Sequence, residues 1–408
     1  MSLDIMKEST QQEILSNMQM ISALTASIAG ATPGSVTVER WSDVGDIIAT
    51  GLGKKIFSIG DKFTDTWKDT ADNRSYEFPW RCNCFRNVEL EDGSTVPGML
   101  LQMAYATPFA VQFSNARAFL RCPNGLAAGT YNVTFGDTWG SKDAKANTTW
   151  QFTLTKAVPT GGRLAGFIQM PDVAATSWKV IAYAADGITK LETVSVTSGT
   201  EGTSLGTMKL SSRNGDLNSM QETGYGWNRW KTSAYRQYLN SDKPKGQWWT
   251  PQDEWDIAPD QLATKDGFLR GMPKELLDQI QPVKVITYTN TVNDGGNADV
   301  TYDRVFLPAL GEMYYEPQID GEGEPHDYWK ERSGSATKLK QYTAYPNMVT
   351  YAVENHTSAR AVRLRSASRG GAVYAWSVGS GGGASGSYGN AFSAYRSSPL
   401  VAICRKSA

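Results

Sequence analysis

Histidine and cysteine are scarce in this chain of 408 residues, and neither sign of charge predominates. Only His326 and His356 are present, which leaves little room for a histidine-based metal centre or a Ser-His-Asp triad. Four cysteines, Cys82, Cys84, Cys122 and Cys404, are too few for a disulfide framework at this length and read as buried free thiols. With 40 basic and 41 acidic residues, bulk electrostatics recommends neither a nucleic-acid nor a membrane-surface partner. No run approaches the roughly 20 apolar residues of a membrane span, so no membrane insertion is expected. The stretch 1–7 lacks the basic start and apolar core of a signal peptide. Synthesis in a cytosol is therefore expected, with reduced thiols, and the sequons at Asn132, Asn147 and Asn355 are incidental.

What is abundant is aromatic side chain and glycine: 13 Trp, 18 Tyr, 13 Phe and 39 Gly. That mixture excludes a disordered chain and suits a strand-rich and loop-rich one. Residues 9–30 read as a helix, capped by Ser9 or Thr10 and ended by Gly30 and Pro33. Ile14, Ile21 and Ile28 recur every seven residues, but only Met18 is apolar at the complementary seam positions. The helix either oligomerises or docks, or packs on its own domain, and the weak heptad slightly favours packing.

Strand-like pieces follow at 55–59, 75–85 and 97–106. Residues 107–206 carry the alternation and turns of a β-sandwich. Short helices are expected at 231–239 and 273–280, and strands at 283–288, 303–307, 361–364, 373–378 and 400–404, the last a buried apolar run.

Several motifs dissolve on inspection. Residues 379–389 are glycine-rich but lack the Gly-Lys-Ser/Thr ending of a phosphate loop. Cys82 and Cys84, two apart on a strand, should share a face as packed thiols without metal partners. Asp320, Glu322, Glu324, His326 and Asp327 form one acidic loop, and Asp294, Asn297, Asp299 and Asp303 another. Neither has EF-hand spacing, and both read as solvated loops. No cofactor or metal is expected.

The segment 366–396 is different. It holds only Ser, Ala, Arg, Gly, Val, Tyr, Trp, Asn and Phe. Tyr and Ser on a Gly and Ala background is the chemistry of a paratope, where Tyr supplies rigid amphipathic contact area. A low-complexity linker would look similar, but the apolar strand after the segment embeds it in a fold. Trp376 and Val378 should point inward on an alternating strand, sending Ser377 and Gly379 outward.

Three stretches, Arg363-Leu364-Arg365-Ser366-Ala367, Ala375-Trp376-Ser377-Val378 and Arg396-Ser397-Ser398-Pro399-Leu400-Val401-Ala402-Ile403-Cys404, resemble the closing signature of C-type-lectin-fold variable proteins. These are targets of diversity-generating retroelements in phages and prophages. Residues 227–240, 306–314 and 57–106 are similar to the same family.

The resemblance implies an α+β fold: a C-type-lectin-like domain, related to formylglycine-generating enzymes, with an inserted antiparallel β-sandwich and an N-terminal helix. The helix occupies 1–33, the first part of the lectin-like domain 40–106, the insertion 107–206 and the main part 207–408, with the first part pairing with the last. It implies mutagenesis of adenines at asparagine codons, whose products include Tyr, Ser, Gly, Ala, Val and Phe but not Trp, so Trp376 would be fixed scaffold. The ligand surface would comprise Tyr374, Ser377, Gly379, Ser385, Ser387, Tyr388, Asn390, Phe392 and Tyr395.

The implied protein is a tail-tip adhesin of the virion, not an enzyme, that binds a host cell-surface receptor, protein or glycan. Other tail proteins and further copies of itself, in a homo-oligomer such as a trimer, would be its partners. The rivals are a formylglycine-generating oxidase, which needs a cysteine pair where only Cys404 lies, and a Ca²⁺-dependent lectin of fixed sequence.

Overall fold

The computed structural model describes residues 35–36, 40–115, 119–135, 149–165, 177–208, 228–252, 256–291, 294–371, 374–387 and 389–405. The expected helix at 9–30 lies outside them.

Strand accounts for 38% of the structure and helix for 14%. The chain is thus mostly β and built from several sheets, which overturns the α+β C-type-lectin-like expectation. The longest helix among the described residues is Trp41–Ala49, nine residues. The helix expected at 231–239 shrinks to Ala234–Leu239, and that at 273–280 to Lys274–Leu277. Residues expected as a strand at 55–59 instead begin in the helical turn Gly53–Ile56.

The central sheet has six strands, in the order Ser35–Val36, Lys62–Asp69, Arg74–Glu89, Thr95–Met103, Leu400–Ile403 and Val305–Phe306. Its outer hairpin alternates, with Phe63 and Trp67 buried, and turns through Asn73 at φ 59°, a left-handed position that Asn tolerates. Its middle is covered on both faces, so residues 78–84 and 98–103 are buried without alternation. Trp41, Val44, Ile47 and Ile48 of the first helix join that core. The terminal strand pairs with the early strand Thr95–Met103, Leu400 opposite Gln102.

One irregularity interrupts this sheet. Cys82 pairs with Leu101 and Cys84 with Leu100, so Asn83 is an extra residue bulged out of the ladder. Because their partners are adjacent, the two cysteines lie on opposite faces of the sheet, not on one face as the two-residue period suggests.

A second sheet of seven strands spans residues 119–208, with the N-terminal edge strand Phe119–Cys122. All seven are hydrogen-bonded into one sheet, where a sandwich would have two. Trp150, Val133, Leu164 and Val180 are fully buried in its own core. A third core, around Met313, Tyr315, Trp329, Leu364 and Trp376, sits under the three-stranded sheet Val362–Ala367, Ala375–Val378 and Ala384–Ser385.

Candidate functional site

The strand Val362–Ala367 is buried at every position, including Arg363 and Arg365. The two guanidiniums are satisfied differently. Arg365 grips Glu312 through both nitrogens, Nη1 to Oε2 at 2.6 Å and Nη2 to Oε1 at 3.0 Å. Burial opposes ionisation of Glu312, but the Arg365 charge overrides it and holds the carboxyl down at about 2. Among the described residues, Arg363 instead donates only to main-chain carbonyls: those of Ala375 at 3.1 Å, Asn390 at 2.8 Å, Ser393 at 3.3 Å, and Gly389.

Other donors outside 366–396 act on its carbonyls in the same way. Asn228 Nδ2 donates to Ser368 O at 3.2 Å, Gly371 O at 2.9 Å and Tyr374 O at 2.7 Å. Gln112 Nε2 donates to Phe392 O at 2.8 Å, and the Tyr315 hydroxyl to Gly382 O. The amides of Phe113 and Ser114 share Ala391 O at 2.9 and 3.0 Å. A carbonyl is the same whatever side chain its residue bears, so this clamp fixes the backbone without specifying the sequence.

The sequence-derived surface residues divide accordingly. Ser387 is exposed, while Tyr374, Gly379, Ser385, Asn390 and Tyr395 are half-buried. A Cβ added at Gly379 would approach nothing closer than 3.5 Å, so the backbone there accepts a residue other than glycine. Ser377 is buried at 4% exposure, because its strand is covered on both faces; its expected outward direction is corrected. Phe392 packs against the core of the 119–208 sheet and is no free anchor. Tyr395 sits 4.1 Å from the Arg363 guanidinium. Tyr388 lies outside the described residues.

Trp376 is fully buried. Gly382 is fixed too, since it adopts φ +77° and a Cβ there would fall 1.9 Å from Tyr345 O. Ser366 is core, donating to Glu322 and accepting from Leu310 N at 2.9 Å.

The acidic loops are only partly solvated as expected: Asp320, Glu324 and Asp327 are exposed, but Glu322, His326, Asp299 and Asp303 are buried and engaged internally. Glu322 accepts from Tyr288 N at 2.9 Å, and burial raises its carboxyl above the usual range. His326 is buried beside Asn83 at 3.2 Å, and burial, aided by Arg86, Arg365 and Arg81, pushes it down to about 3. Asp299 pairs with Arg229 at 2.6 Å and Asp303 with Arg236 at 2.6 Å. The four thiols are free and buried; burial raises Cys84 and Cys122 to about 12 and Cys404 to about 11, so none forms a ready nucleophile.

Sequence reading missed Asn228, Gln112, Tyr315 and the role of Arg363. Only Arg363 left a trace, as an arginine alternating with Val362 and Leu364 in a core-like strand.

Residues 205–398 match a family described as a domain of unknown function (DUF6273). The match covers the clamped segment and the third core apart from Ala106, but not the early strands that complete the central sheet. No curated protein and no solved structure matches the chain.

Proposed function

We propose that this chain is a ligand-binding protein and not an enzyme, and that 366–396 presents interchangeable side chains to a host cell-surface receptor, protein or glycan. In this reading it works at the tail tip of a phage or prophage, and a retroelement diversifies the segment. The carrying observation is the clamp: Arg363, Asn228, Gln112 and Tyr315 hold the segment by its carbonyls, so side chains at Tyr374, Gly379, Ser385, Ser387, Asn390 and Tyr395 can change while the backbone stays. Ser377 and Phe392 leave the proposed surface because they are packed. Weak single contacts would be strengthened by several copies acting together in an oligomer.

The test is a combinatorial library at Gly379, Ser385, Ser387 and Asn390 in the full chain, sampling Tyr, Asp, Ala and Ser. Members should keep the parent melting temperature and differ by more than about tenfold in binding to candidate host cells. A library in which most members unfold would sink the reading. Flanking DNA with a reverse transcriptase and a near-identical copy of the segment's coding sequence would supply the diversifying machinery.

A further inference from the structure

A cavity of about 180 Å³ lies among the long strand Arg74–Glu89, the helix Asp327–Ser333 and the strand Thr350–Tyr351. Lys62, Arg81, Tyr105, Tyr328, Arg332 and His356 are among its lining, and no Asp or Glu is. Arg81 is 5% exposed. Its guanidinium stacks on the Tyr328 ring at 3.6 Å and lies 4.8 Å from the Trp329 ring. Its Nε donates to Oδ1 of the bulged Asn83 at 3.0 Å and its Nη2, at the limit of reach, to Gln102 Oε1 at 3.5 Å.

Among the described residues, no carboxylate forms an ion pair with Lys62, Arg81 or Arg332. Burial lowers Arg81 to about 10, and Arg332 pushes it the same way. Two of the other buried arginines show the alternatives: Arg365 is neutralised by Glu312, and Arg363 donates to four carbonyls. Arg81 has neither arrangement, and a buried charge without a counter-charge is costly unless something supplies one.

A second observation points to a ligand. Thr350 lines the same cavity, is 4% exposed, and its hydroxyl has no hydrogen-bond partner among the described residues, a rare state for a buried polar group.

We propose that this cavity binds the carboxylate of a single acidic sugar ring. The planar guanidinium fork of Arg81 matches a carboxylate. Lys62 and Arg332 add positive charge at the rim, and Thr350 and the tyrosines offer hydroxyl partners to a ring. The volume suits one ring and falls below the roughly 300 Å³ at which sites for larger organic ligands begin. None of the lining residues belongs to 366–396, so the proposal stands apart from the display reading.

The experiment is calorimetric titration of the full chain with glucuronate, N-acetylneuraminate, glucose and inorganic phosphate. At least one acidic sugar should bind and glucose should not. Changing Lys62→Gln together with Arg332→Gln, the latter exposed, should weaken that binding about tenfold or more at an unchanged melting temperature. This pair is chosen because Arg81→Gln alone risks unfolding the sheet. A disaccharide ending in the acidic sugar, bound as well as the free acid, assigns the end of a glycan as the source. Binding of the free acid alone assigns a free sugar acid, and either result supports the site. The proposal is overturned if neither acid binds at concentrations on the order of 10 mM, if glucose or phosphate binds as well as the acid, or if the double variant binds like the parent.

Discussion

In the sheet of residues 119–208 the backbone is held by its own ladder. Gly129–Phe135 pairs with Thr149–Leu154, Ser177–Tyr183 with Lys190–Ser198, and Trp150, Val133 and Val180 fill the core beneath. In 366–396 the ladders are short, and donors far away in sequence hold the loops: Asn228 reaches across 146 residues to Tyr374, and Gln112 spans 280 to Phe392. The first arrangement constrains side chains through alternation and burial. The second constrains carbonyls and leaves many side chains unconstrained. Two ways of fixing a chain therefore predict two patterns of tolerance to substitution.

Removing a large core aromatic should hurt both regions alike. Trp376→Ala and Trp150→Ala should each cost roughly 3 to 5 kcal/mol in denaturant unfolding. Only Trp376→Ala should also weaken ligand binding, measured at a temperature where both variants are folded. Equal binding losses would erase the distinction between the regions.

Arg363→Met tests the clamp itself. It keeps a long side chain but strands the carbonyls of Ala375, Gly389, Asn390 and Ser393, and should cost about 3 kcal/mol or more, since each buried unpaired polar group costs ~1–3 kcal/mol. Hydrogen exchange should quicken in 374–396 and not in 119–208. A uniform change across both would mean that the arginine only fills space.

Acid should act on the C-terminal half first. His326 is held near 3 when folded against 6.5 unfolded, so the unfolded chain takes up the proton first and stability falls as pH drops from about 6.5 toward 3. Glu312, at about 2 against 4.5, adds a further loss between those values. Glu322, raised by burial, works in the opposite direction and partly offsets it. A melting curve followed from pH 7 to pH 4 should slope downward, and His326→Gln should flatten its upper part. An unchanged slope in that variant would place the acid sensitivity elsewhere.

The smallest effects belong to the display positions. Ser387→Asp and Ser385→Tyr should change stability by no more than about 0.5 kcal/mol, while Val180→Asp in the 119–208 core should abolish folding of that sheet. Thermal melts of the three variants side by side would settle the contrast.

Local pattern made part of this readable. Leu400–Ile403 and Val283–Tyr288 stand where apolar runs and alternation put them, because burial on one or both faces leaves a direct trace in sequence. The Asn83 bulge was invisible, since one inserted residue shifts the face of everything beyond it without changing composition. Ser377 misled for a related reason: alternation assumes one solvated face, and its strand has none. Of the clamp, only Arg363 left a trace in the sequence. Nothing near Asn228 in sequence reveals that its amide ends on carbonyls about 140 residues away.

The place of Leu400–Ile403 between Thr95–Met103 and Val305–Phe306 has a consequence for biosynthesis. Translation at about 5–20 residues per second separates Gln102 from its partner Leu400 by tens of seconds. Throughout that interval the nascent chain carries a four-stranded fragment whose open edge is apolar Leu100, Leu101 and Met103. Until residue 403 leaves the ribosome, that edge lacks its native partner and is open to a chaperone or to a wrong strand.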